Sequence, residues 1–205
     1  MLYSLVSLAT LSVLAFATPV VEERAANTCT DVIVFFARGT TEAAPIGSIV
    51  GPPLQRALQA ALGGKSLTFT GVNYAADIVG FLEGGDPAGS AAMAQDARPF
   101  FGRLTNAANS CPTASLVSVG YSQGGQLVHN SAKQLSSSVA ARIKAAVIFG
   151  DPDNGQAVQE IPASRTLIIC HLGDDICLGG DLVLLPHLTY GIDTPAAAAF
   201  IASKV

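Results

Sequence analysis

Ser115-Leu-Val-Ser-Val119 runs directly into Gly120-Tyr121-Ser122-Gln123-Gly124, and a segment of helical period, Gln126 to Leu135, follows at once. Three of the first five residues are apolar and the other two are small serines, which reads as a buried strand. Beyond the motif, Leu127, Ser131 and Leu135 recur at four-residue spacing and mark one face of a helix. A strand that turns straight into a helix with serine at the apex is a nucleophile elbow. The turn forces its apex residue into an unfavourable backbone conformation, and a side chain at either flanking glycine would collide with the strand or the helix. The helix start aims free N–H groups and a partial positive charge at the place where an oxyanion would form.

The same alternation extends in both directions. Asp31 to Ala37, Leu67 to Val72, Ser115 to Val119, Ala145 to Phe149 and Thr166 to Cys170 read as five parallel strands, apolar enough to be covered on both faces. Leu54, Ala57, Leu58, Ala61 and Leu62 form a helical stripe that Pro52-Pro53 starts and Gly63-Gly64 stops. Met93, Ala97, Phe100, Phe101, Leu104 and Ala108 form a second, kinked or split at Pro99. Thr194 to Lys204, with Pro195 in the first turn, reads as a last helix. Gly80 to Gly89 reads as a loop at the rim of the site, and no segment is long enough for a helical lid. The expected fold is a three-layer α/β/α sandwich around a five-stranded parallel sheet.

The chain has 205 residues, of which 50% are hydrophobic and 13% charged, a composition suited to one well-buried core. A formal charge of −4 and the lack of any Lys/Arg run exclude a phosphate-seeking surface, so nucleic acid is not an expected partner. Leu2 to Ala17 is an apolar run closing on Ala15-Phe16-Ala17, and residues 1–17 read as a secretory signal peptide, too short for an integral membrane anchor. Residues 18–24 read as a short propeptide or frayed start, leaving 25–205 as one mature domain. Secretion also permits the four cysteines to pair. Three pairings are open from sequence; a Cys170–Cys177 staple would leave Cys29 for Cys111, contributing roughly 2.5 and 4.5 kcal/mol by loop entropy.

A serine hydroxyl needs an adjacent base. Of three histidines, His129 lies about two turns along the elbow's own helix and reads as a solvated surface residue, while His171 adjoins Cys170. His187 follows both the serine and a cluster of acids, in the chain order Ser, Asp, His. The candidate acids are Asp151, Asp153, Asp174 and Asp175. Asp174 is preferred because it follows the last strand, at the carboxyl edge, inside the proposed staple. Asp151-Pro152 is the runner-up and reads as a turn initiator. Leu182 to Leu185 and Leu188, facing Ile78, Val79, Phe81 and Leu82, would make an apolar groove unless most of them are core.

These residues resemble the fungal cutinases over nearly the whole mature chain: Ala37-Arg38-Gly39-Thr40-Thr41-Glu42, the Gly120 to Gly124 elbow, Gly173-Asp174 ahead of Cys177, Pro186-His187-Leu188 before Tyr190-Gly191, and the four cysteines in order and spacing. The resemblance implies a minimal, lidless α/β-hydrolase with Ser122, Asp174 and His187 as its triad. It implies an oxyanion hole built from the backbone N–H groups of Thr40 and Gln123, and a binding groove that includes Phe81, Leu82, Val183, Leu184 and Leu188. Threonine at position 40 departs from the family's usual serine, and Glu83 and Asp86 stand in a rim loop where the family has an asparagine. The implied activity is hydrolysis of cutin and of short to medium acyl esters by a secreted, monomeric esterase that uses neither metal nor cofactor. An acetylxylan esterase and a non-catalytic surface-binding or elicitor protein are the other readings of the same fold.

Overall fold

The structure, a computed structural model, describes residues 29–94 and 104–205. Its sheet contains β1 (Val32–Ala37), β2 (Leu67–Gly71), β3 (Ser115–Tyr121), β4 (Ile143–Phe149) and β5 (Thr166–Ile169). They lie in the order β2-β1-β3-β4-β5, and every pair is parallel. Period-two alternation splits the sheet's side chains between two cores. Val32, Val34, Phe36, Val117, Val119 and Phe149 face the helices α1 (Gly51–Ala61) and α6 (Thr194–Ala202), which pack on each other. Ile33, Phe35, Leu116, Ala146 and Ile148 face the layer that includes α3 (Pro87–Ala94), α4 (Leu104–Ser110) and α5 (Gln123–Ala132). The three central strands are buried on both faces as expected, whereas the edge strands β2 and β5 are only half-buried.

In α1, Leu54 and Leu58 face the core, prolines occupy the first turn, and Gly63 and Gly64 leave the helix with positive φ. Ala61 ends up exposed. Two disulfides form, Cys29–Cys111 across the start of β1 and Cys170–Cys177 after β5. The anticipated helix break at Pro99 lies outside the described residues.

Two expectations are corrected. Gly80 to Gly89 is not one loop: α2 (Ile78–Leu82) covers its start and α3 its last three residues, leaving only a turn over 83–86 between them. Asp77 and Asp86 start them by accepting the N–H groups of Gly80 and Gly89 at 2.8 and 2.7 Å. Glycine-rich composition reads as loop, and the two capping aspartates outweigh it. His129 is not a surface residue either. It is 1% exposed and its Nε2 lies 3.0 Å from Oδ2 of Asp151, which is itself fully buried. Asp151 is therefore a structural acid, tying α5 to the segment after β4, and its Oδ1 also accepts the N–H of Asp153. The carboxylate satisfies the helical position that would otherwise face an apolar core.

Removing one partner of a buried pair strands the other. His129→Ala should lower the unfolding free energy by about 3 kcal/mol in urea titration. Adding Asp151→Ala should recover part of the loss. Wild-type stability of His129→Ala would contradict the pairing.

Candidate active site

β1 and β3 are neighbours, but the chain leaves β1 towards β2 on one side and returns to β3 on the other. This is the topological switch point, where the carboxyl ends of parallel strands open a crevice. Thr40 follows β1 there and Ser122 follows β3. Ser122 sits between β3 and α5 at φ 56°, ψ −125°, a conformation that side chains rarely adopt. Its N–H donates to the Phe149 carbonyl at 2.9 Å and its carbonyl accepts from Gly125 at 2.7 Å, so neighbouring backbone fixes the apex. A Cβ at Gly120 would lie 2.2 Å from the Gly124 oxygen, and one at Gly124 would lie 2.0 Å from the Ala37 oxygen. The elbow closes only because both positions lack side chains. Gln123 opens α5, so its N–H is among those no helical carbonyl can reach.

Asp174 and His187 come from the chain that follows β5. Oδ2 of Asp174 lies 2.8 Å from Nδ1 of His187, with both side chains almost wholly buried. A carboxylate can only accept here, so Nδ1 carries the proton and Nε2 is left as the free position of the neutral ring. Nε2 is buried and has no hydrogen-bond partner among the described residues. Oδ1 of Asp174 accepts the N–H of Ile176 at 3.1 Å, inside the loop that the Cys170–Cys177 disulfide closes. His187 rides on a short 3-10 turn, Leu185–Leu188, whose position is set from below. The Tyr121 hydroxyl donates to the His187 carbonyl at 2.8 Å, and the two rings stack at 5.2 Å. Gly150 leaves the imidazole room, since a Cβ there would come within 2.7 Å of it.

The segment after β1 is organised by two charged side chains. Arg38, 4% exposed, donates to the carbonyls of Glu42 at 2.7 Å and Tyr74 at 2.8 Å and stacks over the Tyr74 ring. The Tyr74 hydroxyl donates back to the Arg38 carbonyl. Burial pushes the phenols of Tyr74 and Tyr121 above their ordinary range, so both remain donors. The carboxylate of Glu42 accepts the N–H groups of Gly39, Ser48 and Ile49 at 2.9, 2.9 and 3.0 Å. Those three bonds fold the segment around Thr40, whose Oγ1 is buried with no partner among the described residues.

These segments enclose a cavity of about 510 Å³. Ser122, His187 and Thr40 line it together with Phe81, Val183 and Leu188. Of the other expected groove residues, Leu82 lines an adjoining depression and Leu184 lines neither. Gln123 contributes backbone only, since its side chain is fully buried and donates to the Asp77 carbonyl at 2.6 Å. Gln126 and Asn130 likewise donate to the carbonyls of Phe81 and Gly84, so the elbow's own helix carries the rim. The rim is not core: Ile78, Val79 and Leu82 on one side and Leu182, Val183 and Leu185 on the other are each about 60% exposed or more. Glu83 and Asp86 take helix-end positions at the rim, Glu83 closing α2 and Asp86 opening α3.

Of the residues expected from sequence, Ser122 and His187 line one cavity and Asp174 meets His187, whereas Glu42, Tyr121 and Tyr190 carry no expectation from sequence. Their side chains act on backbone and on other side chains, and no local spacing reports such contacts. His129, Asp151 and Asp153 group closely enough to hold a cation, but His129 and Asp151 are already spent on each other. No helix among the described residues is long and apolar enough to cross a membrane.

The family model described as Cutinase matches residues 28–205. A cutinase of Botryotinia fuckeliana is 58% identical over 93% of this chain and 90% of its own length. A cutinase of Monilinia fructicola is 54% identical over the same shares. Among solved structures, a Trichoderma reesei cutinase in complex with a C11Y4 phosphonate inhibitor superimposes with a TM-score of 0.79 at 43% identity, covering 85% of this chain and 76% of that one. An acetylxylan esterase superimposes with a TM-score of 0.65 at 26% identity, covering 86% of this chain and 99% of that one. With a five-stranded parallel sheet flanked by helices and these matches across nearly all of its length, the chain belongs to the cutinase family of carboxylic ester hydrolases.

Proposed function

We propose that Ser122 is the nucleophile, His187 the general base and Asp174 the orienting acid of a secreted, monomeric esterase that hydrolyses cutin and short to medium acyl esters. The reading rests above all on one observation: a buried imidazole whose Nδ1 is held by a carboxylate at 2.8 Å, with an unpartnered Nε2, lines the same cavity as a serine at a strained elbow. As Oγ attacks the ester carbon, Nε2 takes its proton, and the carbonyl oxygen becomes an oxyanion. The N–H groups of Gln123 and Thr40 receive that charge, with the Thr40 hydroxyl as a further donor. Collapse expels the alcohol, which takes the proton from the imidazolium. Water, deprotonated by the same nitrogen, then attacks the acyl-enzyme and releases the acid.

Exposed apolar side chains on both sides of the cavity favour a waxy polyester over a soluble, strongly hydrated chain. This is the ground for preferring cutin to acetylated xylan. The N-terminal apolar run supports export, and the two disulfides fit an oxidising compartment.

Ser122→Ala should cut kcat on p-nitrophenyl butyrate by roughly 10^4-fold or more, leaving only transition-state binding, and should abolish labelling by a fluorophosphonate. Retained turnover would sink the assignment. Across p-nitrophenyl esters of increasing length, activity should peak at butyrate or longer; a maximum at acetate with acetate release from acetylated xylan would select the other esterase reading. Glu42→Ala should lower kcat about 10- to 100-fold with KM little changed, because three backbone donors around Thr40 lose their anchor. An unchanged kcat in a folded variant would show that the segment holds its shape without the carboxylate.

A further inference from the structure

Tyr190 is fully buried on the 3-10 turn Tyr190–Asp193, three residues beyond His187. Its hydroxyl lies 2.6 Å from Oδ2 of Asp174, the same oxygen that meets Nδ1 of His187. The direction of that bond is determined. The hydroxyl also receives the backbone N–H of His171 at 2.9 Å, so its one proton is free to point at the carboxylate. Burial, and then the hydrogen bond to Asp174, hold the phenol above its ordinary range, so that proton is retained wherever the enzyme works.

Resting on the triad reading above, we propose that Tyr190 is a fourth, positioning member of the site, which sets through Asp174 both the orientation and the basicity of His187. A carboxylate that accepts a strong neutral donor concentrates less charge on the imidazolium beside it. Tyr190 thereby keeps His187 from binding its proton too tightly, and it fixes the rotation of the carboxylate so that Oδ2 stays on the imidazole axis. The ring is itself clamped. His171 stacks on it at 4.1 Å, held by contacts of its ring nitrogens to Asp193 at 2.7 Å and to the Pro186 carbonyl at 2.9 Å. His187 and Tyr121 meet it edge-on from above and beside. The titratable groups around Tyr190 are thus Asp174, His187, Tyr121 and His171 with its partner Asp193.

Two replacements of the hydroxyl test this in the full-length mature enzyme. Tyr190→Phe keeps the ring and its stacking but removes the donor. It should lower kcat/KM about tenfold through kcat, with KM unchanged, and move the acid limb of the pH profile upward by about half a unit. Replacing Tyr190 with 3-fluorotyrosine strengthens the donor and should move that limb downward. A side chain with a merely structural role would move it in neither case. Acid limbs that stay at the wild-type pH in both variants, or that move the same way, overturn the proposal. Should the phenylalanine variant not fold, the fluorinated enzyme decides by itself. Ser122→Ala measured alongside separates the two readings: its failure to lose activity would indict the triad, not the tyrosine.

Discussion

The architecture depends on one close approach of backbone to backbone. At the end of β3 the chain reverses into α5 so tightly that Gly120 faces Gly124 and Gly124 faces the Ala37 carbonyl at the end of β1. Any side chain at either point would have to push two central elements apart. Because that contact also joins the end of β3 to β1, it fixes the strand that carries Ser122 and the strand that leads to Thr40 relative to each other. Ser122 is raised to positive φ as a consequence of this packing, and the sheet's hydrogen bonds hold it there.

The other half of the site is held differently. His187 lies on a 3-10 turn outside the sheet's ladders, and its position comes from side chains instead. Tyr121 grips its carbonyl, Asp174 grips its ring, and the hydroxyl of Thr189 and the ring of His171 both address the Pro186 carbonyl just before it. The disulfide after β5 closes the loop that carries Asp174. A rigid elbow thus faces a histidine on a short, cross-braced turn. α5 has a further task, because its Gln123, Gln126 and Asn130 amides hold the rim segment around α2 beside the cavity.

What could be read from the amino acids followed the range of the interactions. The five parallel strands and the elbow between the third of them and its helix are written in local period, in glycine spacing and in motif context, whereas the order of the strands in the sheet is not. Helix α2 was missed because its evidence is a pair of aspartate caps inside a glycine-rich stretch. His129 was misplaced for a related reason: its partner Asp151 lies 22 positions away and is joined to it only by the fold. Glu42's hold on Ser48 and Ile49, six and seven positions on, and Tyr190's hold on Asp174, sixteen positions back, stay hidden for another reason: they match no helical or strand period, and nothing beside them marks them as donors or acceptors for the site. Family resemblance pointed to the segments that contain them without saying what they do.

Close packing at the elbow, rather than any feature of the serine itself, sets Ser122 in the cavity that His187 also lines. A crystal structure of the enzyme after reaction with diethyl p-nitrophenyl phosphate tests it most directly. The expected adduct is a phosphoryl group bonded to Oγ of Ser122, with one of its oxygens within hydrogen-bond reach of the Gln123 and Thr40 N–H groups and the serine still at positive φ. An adduct on another residue, or on a serine relaxed to negative φ, would contradict it.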